Sequence, residues 1–164
     1  TIFGPISGAH FNPIVTAAML IAKKITAKDA IIFIILQILG AGLGVLIAHG
    51  MFELDIFQIS SKLRQGASQG FSEIIATFGL ILVIFGGLKV RADAIPALVG
   101  FYITSAYWFT ASTSFANPAV TLARSLSDTF AGINPSNIIM FISCQFIGML
   151  VALILVKYIF SEKE

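Results

Sequence analysis

Two asparagines stand in the same five-residue frame. Asn12 opens Asn-Pro-Ile-Val-Thr and Asn117 opens Asn-Pro-Ala-Val-Thr. A carboxamide donates and accepts hydrogen bonds. At a helix N-cap its oxygen accepts from the first free N–H groups, and a following proline fits the first helical position, where no donor is lost. Capping also fixes the direction of the amide N–H groups. Glu73 is the one acid in the apolar run Phe71–Leu88, and an acid inside such a run is costly and marks function. His10, two residues before Asn12, is a titratable group near neutral pH. There are no paired carboxylates, no Ser/His/Asp arrangement and no metal-ligand cluster, so an enzyme is not indicated and neither cofactor nor metal is expected.

The elements that must carry these residues are apolar. The chain has 164 residues, 57% hydrophobic and 11% charged, where a soluble domain carries roughly 25% charged residues. Ala30–Met51, Phe71–Leu88, Ala94–Ala111 and Ile138–Val156 each reach membrane-spanning length. A soluble helical core is a poor alternative, because four such runs leave too little polar surface to cover them. The net charge of +2 gives no nucleic-acid footprint, and the single cysteine, Cys144, lies in an apolar run where packing is its role.

Asn12–Ala22 and Asn117–Ser127 are too short to span. Short apolar segments broken by Pro and Gly at matching places in two halves point to re-entrant half-helices. The repeat extends further: IIFIILQILG follows the first copy and IIMFISCQFIG the second, with Gln37 and Gln145 each three residues before a glycine. Residues 1–52 read as the end of a first repeat and residues 69–164 as a second, together one transmembrane domain. Two spans precede the second half-helix and none precedes the first. The expectation is therefore four full spans, with two helices missing ahead of Thr1. Three spans separate the motif copies, so the repeat is inverted and the half-helices enter from opposite faces. Lys23, Lys24, Lys28, Lys89, Arg91, Lys157 and Lys163 fall on one face if the chain alternates. That face, with the C-terminus, is expected to be cytoplasmic, and the protein to be multi-pass in the cell membrane. Lys62, Arg64 and Arg124 fall on the other.

SGAHFNPIVT, SFANPAVTLAR, the inverted repeat and Glu73 early in a span resemble the major intrinsic proteins, the aquaporins and aquaglyceroporins. The resemblance covers essentially the whole chain, as the last two-thirds of the fold. It implies an all-α membrane protein with an aquaporin-like inverted repeat, assembled as a homotetramer in the lipid bilayer. It also implies that two half-helix N-termini meet at mid-membrane, where their partial positive charge repels cations. On this resemblance Asn12, Pro13, Ile14, Asn117, Pro118 and Ala119 form the pore junction, with the two amides donating to a permeating oxygen. Glu73 accepts hydrogen bonds from a half-helix loop as a scaffold, or else reaches water at the interface. His10 faces the cytoplasmic pore mouth, with a bond to backbone as the simpler role.

Two positions depart from the family. Ile14 replaces an alanine and is expected to narrow or reshape the junction. Val120 stands where most members have a filter arginine, which should leave the constriction wider and less polar. The other filter positions fall at Ser114 and, counted from Gly100, at Tyr107; counted back from Asn117 the latter falls at Ser105. Tyr107, Trp108 and Phe109 are alternatively an interface belt. Arg124, one turn beyond Val120, could reach the outer vestibule, but the spacing favours a surface pair with Asp128. His49 reads as interfacial, and Gly40, Gly44 and Gly148 as helix-packing residues.

The expected function is a passive channel for water and small neutral solutes such as polyols and metalloid hydroxides. The run ANPAVTLARSLSDTF resembles a prokaryotic branch associated with arsenic resistance. Alternatives are a secondary transporter with a broken-helix site, or a truncated chain without transport function.

Overall fold

A computed structural model describes residues 1–160; Lys163, counted above among the positive residues of one face, lies outside the described residues. Those residues are all helical and irregular, with no strand. A four-residue helix α1 (Gly4–Ser7) leads into the first half-helix, α2 (Pro13–Ile21), and then into α3 (Ala27–Met51). The second half contains α4 (Ala67–Val90), α5 (Ile95–Phe109), the half-helix α6 (Pro118–Arg124) and α7 (Ile138–Ile159).

Local chemistry sets the ends. Thr26 caps α3 by accepting from the Asp29 N–H at 3.1 Å. Gly66 sits at φ +97° ahead of α4, a conformation that side-chain-bearing residues rarely adopt. Among the described residues, three helices are long and apolar enough to cross a membrane: α3, α4 and α7 with its preceding turn. The expected span Ala94–Ala111 forms only the 15-residue α5, preceded by a 3-10 turn over Ala92–Ala94. At about 1.5 Å per residue, α5 alone is shorter than the ~30 Å hydrocarbon layer. The apolar run does not stop there; its last residues leave the helix at Thr110 and turn inward as a loop.

The two halves interlock. α4 packs most extensively on α7 and also on α5, while α3 packs on α6, α2 on α7, and the two half-helices on each other. Each half-helix is thus held by a long helix of the opposite half. The main core joins Ile14, Val15 and Ala18 of α2 to Leu80, Ile81 and Ile84 of α4 and to Met149 and Ala152 of α7. Only 6% of the apolar window of α3 is buried, against 50% for α4, so α3 presents its apolar face outward while α4 is central.

Close packing of α4 on α7 depends on Gly148. A Cβ there would collide with the Ile74 carbonyl oxygen and come within 3.0 Å of the Phe78 nitrogen. Gly40 and Gly44 differ: nothing lies within 4 Å of a Cβ at either, so within this chain they are not packing contacts.

Candidate functional site

The two motifs build nearly the same backbone. Asn12 has φ −157°, ψ 119° and Asn117 has φ −158°, ψ 113°. Each is an N-cap. Asn12 Oδ1 accepts from Ile14 N at 2.9 Å, and Asn117 Oδ1 accepts from Ala119 N at 3.0 Å and Val120 N at 3.3 Å. The residue before each asparagine is left-handed, Phe11 at φ 48° and Ala116 at φ 44°. Such a conformation costs a non-glycine residue about 1–3 kcal/mol and persists only where surroundings enforce it.

The strain aims a carbonyl across the junction. Asn12 Nδ2 donates to Ala116 O at 2.8 Å, and Asn117 Nδ2 donates to Phe11 O at 3.1 Å. The asparagines are therefore brought together with their helices' N-termini facing, each amide bound to the other motif's loop. Each NH2 has two hydrogens, so one remains for another acceptor. Asn12 is buried and Asn117 half-buried.

Glu73 bonds the second loop. It is 0% exposed. Its Oε1 accepts from Ser112 Oγ at 2.6 Å and Phe115 N at 2.9 Å. Its Oε2 accepts from Ala116 N at 2.9 Å and Gln145 Nε2 at 2.7 Å. Ala116 thus bonds Glu73 through its N–H and Asn12 through its carbonyl. Gln145 also donates to Thr121 Oγ1 at 3.0 Å, and in the first half Gln37 Nε2 donates to Thr16 Oγ1 at 3.0 Å. The repeated Thr and Gln pair with one another in both halves, a link the sequence showed only as matched spacing. His10 Nδ1 lies 3.1 Å from the Thr16 hydroxyl, a side-chain partner rather than the backbone.

A cavity of about 620 Å³ runs from Ile95 and Pro96 at one end of α5 to Tyr107 at the other, passing Asn12, Asn117, Val120 and Ser114. A second, of about 490 Å³, lies between α3 and the junction; His10, Phe11, Asn117 and Val120 line both. The Ser114 hydroxyl is buried with no partner among the described residues, and Tyr107 is half-exposed on the same wall. Ser105 bonds the Phe101 carbonyl of its own helix and does not line either cavity. Pro13, Pro118 and Ala119 are buried in the first turns of their half-helices.

Two expectations need correction. Ile14 lines neither cavity. It is 0% exposed and its side chain fills the α4–α7 core, so it does not narrow the junction. Arg124 does not pair with Asp128. The Asp128 Oδ1 accepts from Ser61 N at 2.8 Å and Ser61 Oγ at 2.9 Å, which holds its carboxyl below the usual range. Arg124 instead lines the main cavity, its guanidinium carbon 4.4 Å from the Phe115 ring centroid. His49, in the last turn of α3, is buried against the protein, with Nδ1 2.9 Å from Ile56 O. Arg64 was read only as a loop charge, yet it is 6% exposed and bonds three backbone carbonyls.

Comparison with known proteins agrees with this geometry. The family described as Major intrinsic protein matches residues 1–112. Aquaglyceroporin AqpS of Rhizobium meliloti (strain 1021) is 46% identical over 159 residues, which is 97% of this chain and 68% of that protein. An aquaglyceroporin of Toxoplasma gondii is 28% identical over 78% of this chain and 50% of its own length. Aquaporin PIP2-5 of Oryza sativa subsp. japonica is 34% identical over 54% of this chain and 34% of its own length. The chain therefore spans about two-thirds of the first relative and half or less of the other two. With facing half-helices, a doubled Asn-Pro motif and a match over most of its length, this chain belongs to the major intrinsic protein family.

Proposed function

We propose that the cavity past Asn12, Asn117 and Val120 is the conduit of a passive channel, and that it admits small neutral solutes larger than water. Channel activity for water and small solutes, rather than catalysis, follows from the family. The observation that carries the conduit is the crosswise capping, which sets two half-helix N-termini face to face at the cavity wall. Each terminus contributes roughly half an elementary positive charge, which opposes cations without binding a neutral molecule. Asn12 and Asn117 offer their remaining amide hydrogens to a passing oxygen. Glu73 is the scaffold of the second loop. Because it already accepts four hydrogen bonds, no acid at the junction is free to carry a coupled ion, which disfavours the secondary transporter.

Solute size rests on Val120, with Ser114 and Tyr107 as the other filter residues. Valine has no donor and a short side chain, and Ser114, on the same cavity wall, is also small, with its hydroxyl buried. A largely apolar wall that carries a few polar groups, among them Asn12, Asn117 and Tyr107, suits polyols and neutral metalloid hydroxides. The names of the two aquaglyceroporin relatives support the polyol reading. A homotetramer in the cell membrane, its C-terminus cytoplasmic, completes the proposal; the outward apolar face of α3 suits lipid or a neighbouring subunit.

The test is Val120→Arg in the complete protein, reconstituted in proteoliposomes. Stopped-flow light scattering should show a strong loss of glycerol flux and a smaller loss of water flux. Equal loss of both, or loss of neither, would remove Val120 from the filter.

A further inference from the structure

The loop between α3 and α4 brings a buried cation behind the cavity wall. Arg64 donates from Nε to Gly132 O at 2.7 Å, from Nη1 to Ser112 O at 3.1 Å and from Nη2 to Phe130 O at 3.0 Å. Its own N–H is held by Asn137 Oδ1 at 3.0 Å. The guanidinium is therefore fixed, and its carbon lies 4.9 Å from the Phe115 centroid. Arg124 shares that ring from the last turn of α6, at 4.4 Å. Neither guanidinium has a salt bridge among the described residues, where one joins Arg91 to Asp93. Burial and the nearby Arg124 charge push Arg64's pKa down, partly offset by Glu73.

Each cation is attracted to the ring quadrupole, and the two repel each other. Arg64 is anchored by three carbonyls; Arg124 has no comparable anchor and lines the cavity. Repulsion from the anchored Arg64 therefore biases Arg124 toward the cavity it lines. Val120, one turn earlier on α6, provides neither charge nor donor. We propose that Arg124, seated on Phe115, is the specificity-determining cation of the outer mouth, and that Arg64 is the residue that positions it. The assignment rests on the channel reading above. A neutral solute with oxygen acceptors meets the Arg124 donors, whereas hydronium and metal cations meet a fixed positive charge in a low-dielectric wall.

The experiment uses the complete protein in proteoliposomes, recording water and glycerol flux by light scattering and proton leak with an entrapped pH-sensitive dye under a valinomycin potassium clamp. Leak is expressed per unit of water flux, so the amount of inserted protein cancels. Arg124→Gln should raise this ratio by about tenfold, the effect of a 1.4 kcal/mol change in barrier. Arg124→Leu should do the same if the glutamine variant does not insert. Arg124→Lys should stay near the parent, because charge is retained. Arg64→Lys keeps its charge but loses the three-carbonyl fork, and should raise the ratio less than Arg124→Gln. A role in folding alone would lower the amount of channel and leave the ratio fixed. Parental flux with an unchanged leak in the uncharged Arg124 variants overturns this proposal alone. An unchanged ratio in Arg64→Lys overturns the positioning role. A parent that passes neither water nor glycerol overturns the channel reading and this proposal with it.

Discussion

Glu73 uses both carboxylate oxygens on four donors that come from three places in the chain: Ser112, the Phe115 and Ala116 amides, and Gln145. Glu73→Gln presents an NH2 where one oxygen accepted, so at least one buried donor loses its partner. Bonds to a charged acceptor contribute about 1.5–3 kcal/mol each. The expected outcome is a lower melting temperature for the purified protein and fewer conducting channels, with an unchanged ratio of glycerol to water flux. A variant as stable and as conductive as the parent would refute the scaffold role. Glu73 was legible in the sequence because it is alone in an apolar run. Arg64 was not, because its meaning depends on carbonyls 48, 66 and 68 residues away, and no local pattern encodes them. Ile14 was misread for a related reason: its size is visible in sequence, but the direction of its side chain into the α4–α7 core is not.

At the scale of elements, the motif copies, the half-helices and the inversion were legible because proline, asparagine and the length of apolar runs are local signals. The end of α5 was not. Ala94–Ala111 carries no charge from end to end, so its hydropathy does not mark Thr110 as the residue where the helix gives way to a loop drawn toward Glu73. The glycines show the same limit. Gly44 and Gly148 both sit in long apolar helices, but only Gly148 meets a neighbouring backbone. Gly148→Ala should separate α4 from α7 and destabilise the protein by about 1–3 kcal/mol, as overpacking does. Gly44→Ala should be neutral or stabilising by up to about 1 kcal/mol, since a helical glycine is otherwise a cost. Paired melting curves in one detergent check this. Equal effects would show that the α4–α7 contact does not depend on a missing Cβ.

For the whole molecule, packing changes the charge count that sets orientation. By sequence, the face opposite the lysine clusters carries Lys62, Arg64 and Arg124. In the structure Arg64 and Arg124 are both drawn onto Phe115, and Lys62 is the exposed one of the three. Lys23, Lys24, Lys28, Lys89, Arg91 and Lys157 are all exposed. α3 carries the chain from Lys28 to the loop holding Lys62, and α4 carries it back to Lys89. The asymmetry in free positive charge is thus sharper than the sequence count, and it favours the lysine-rich face in the cytoplasm. With Cys144 replaced by Ser, Lys62→Cys should react with a membrane-impermeant maleimide on intact cells. Lys28→Cys and Lys89→Cys should react only after permeabilisation. The opposite pattern would invert the proposed orientation, and labelling of all three on intact cells would mean that α3 and α4 do not both cross the membrane.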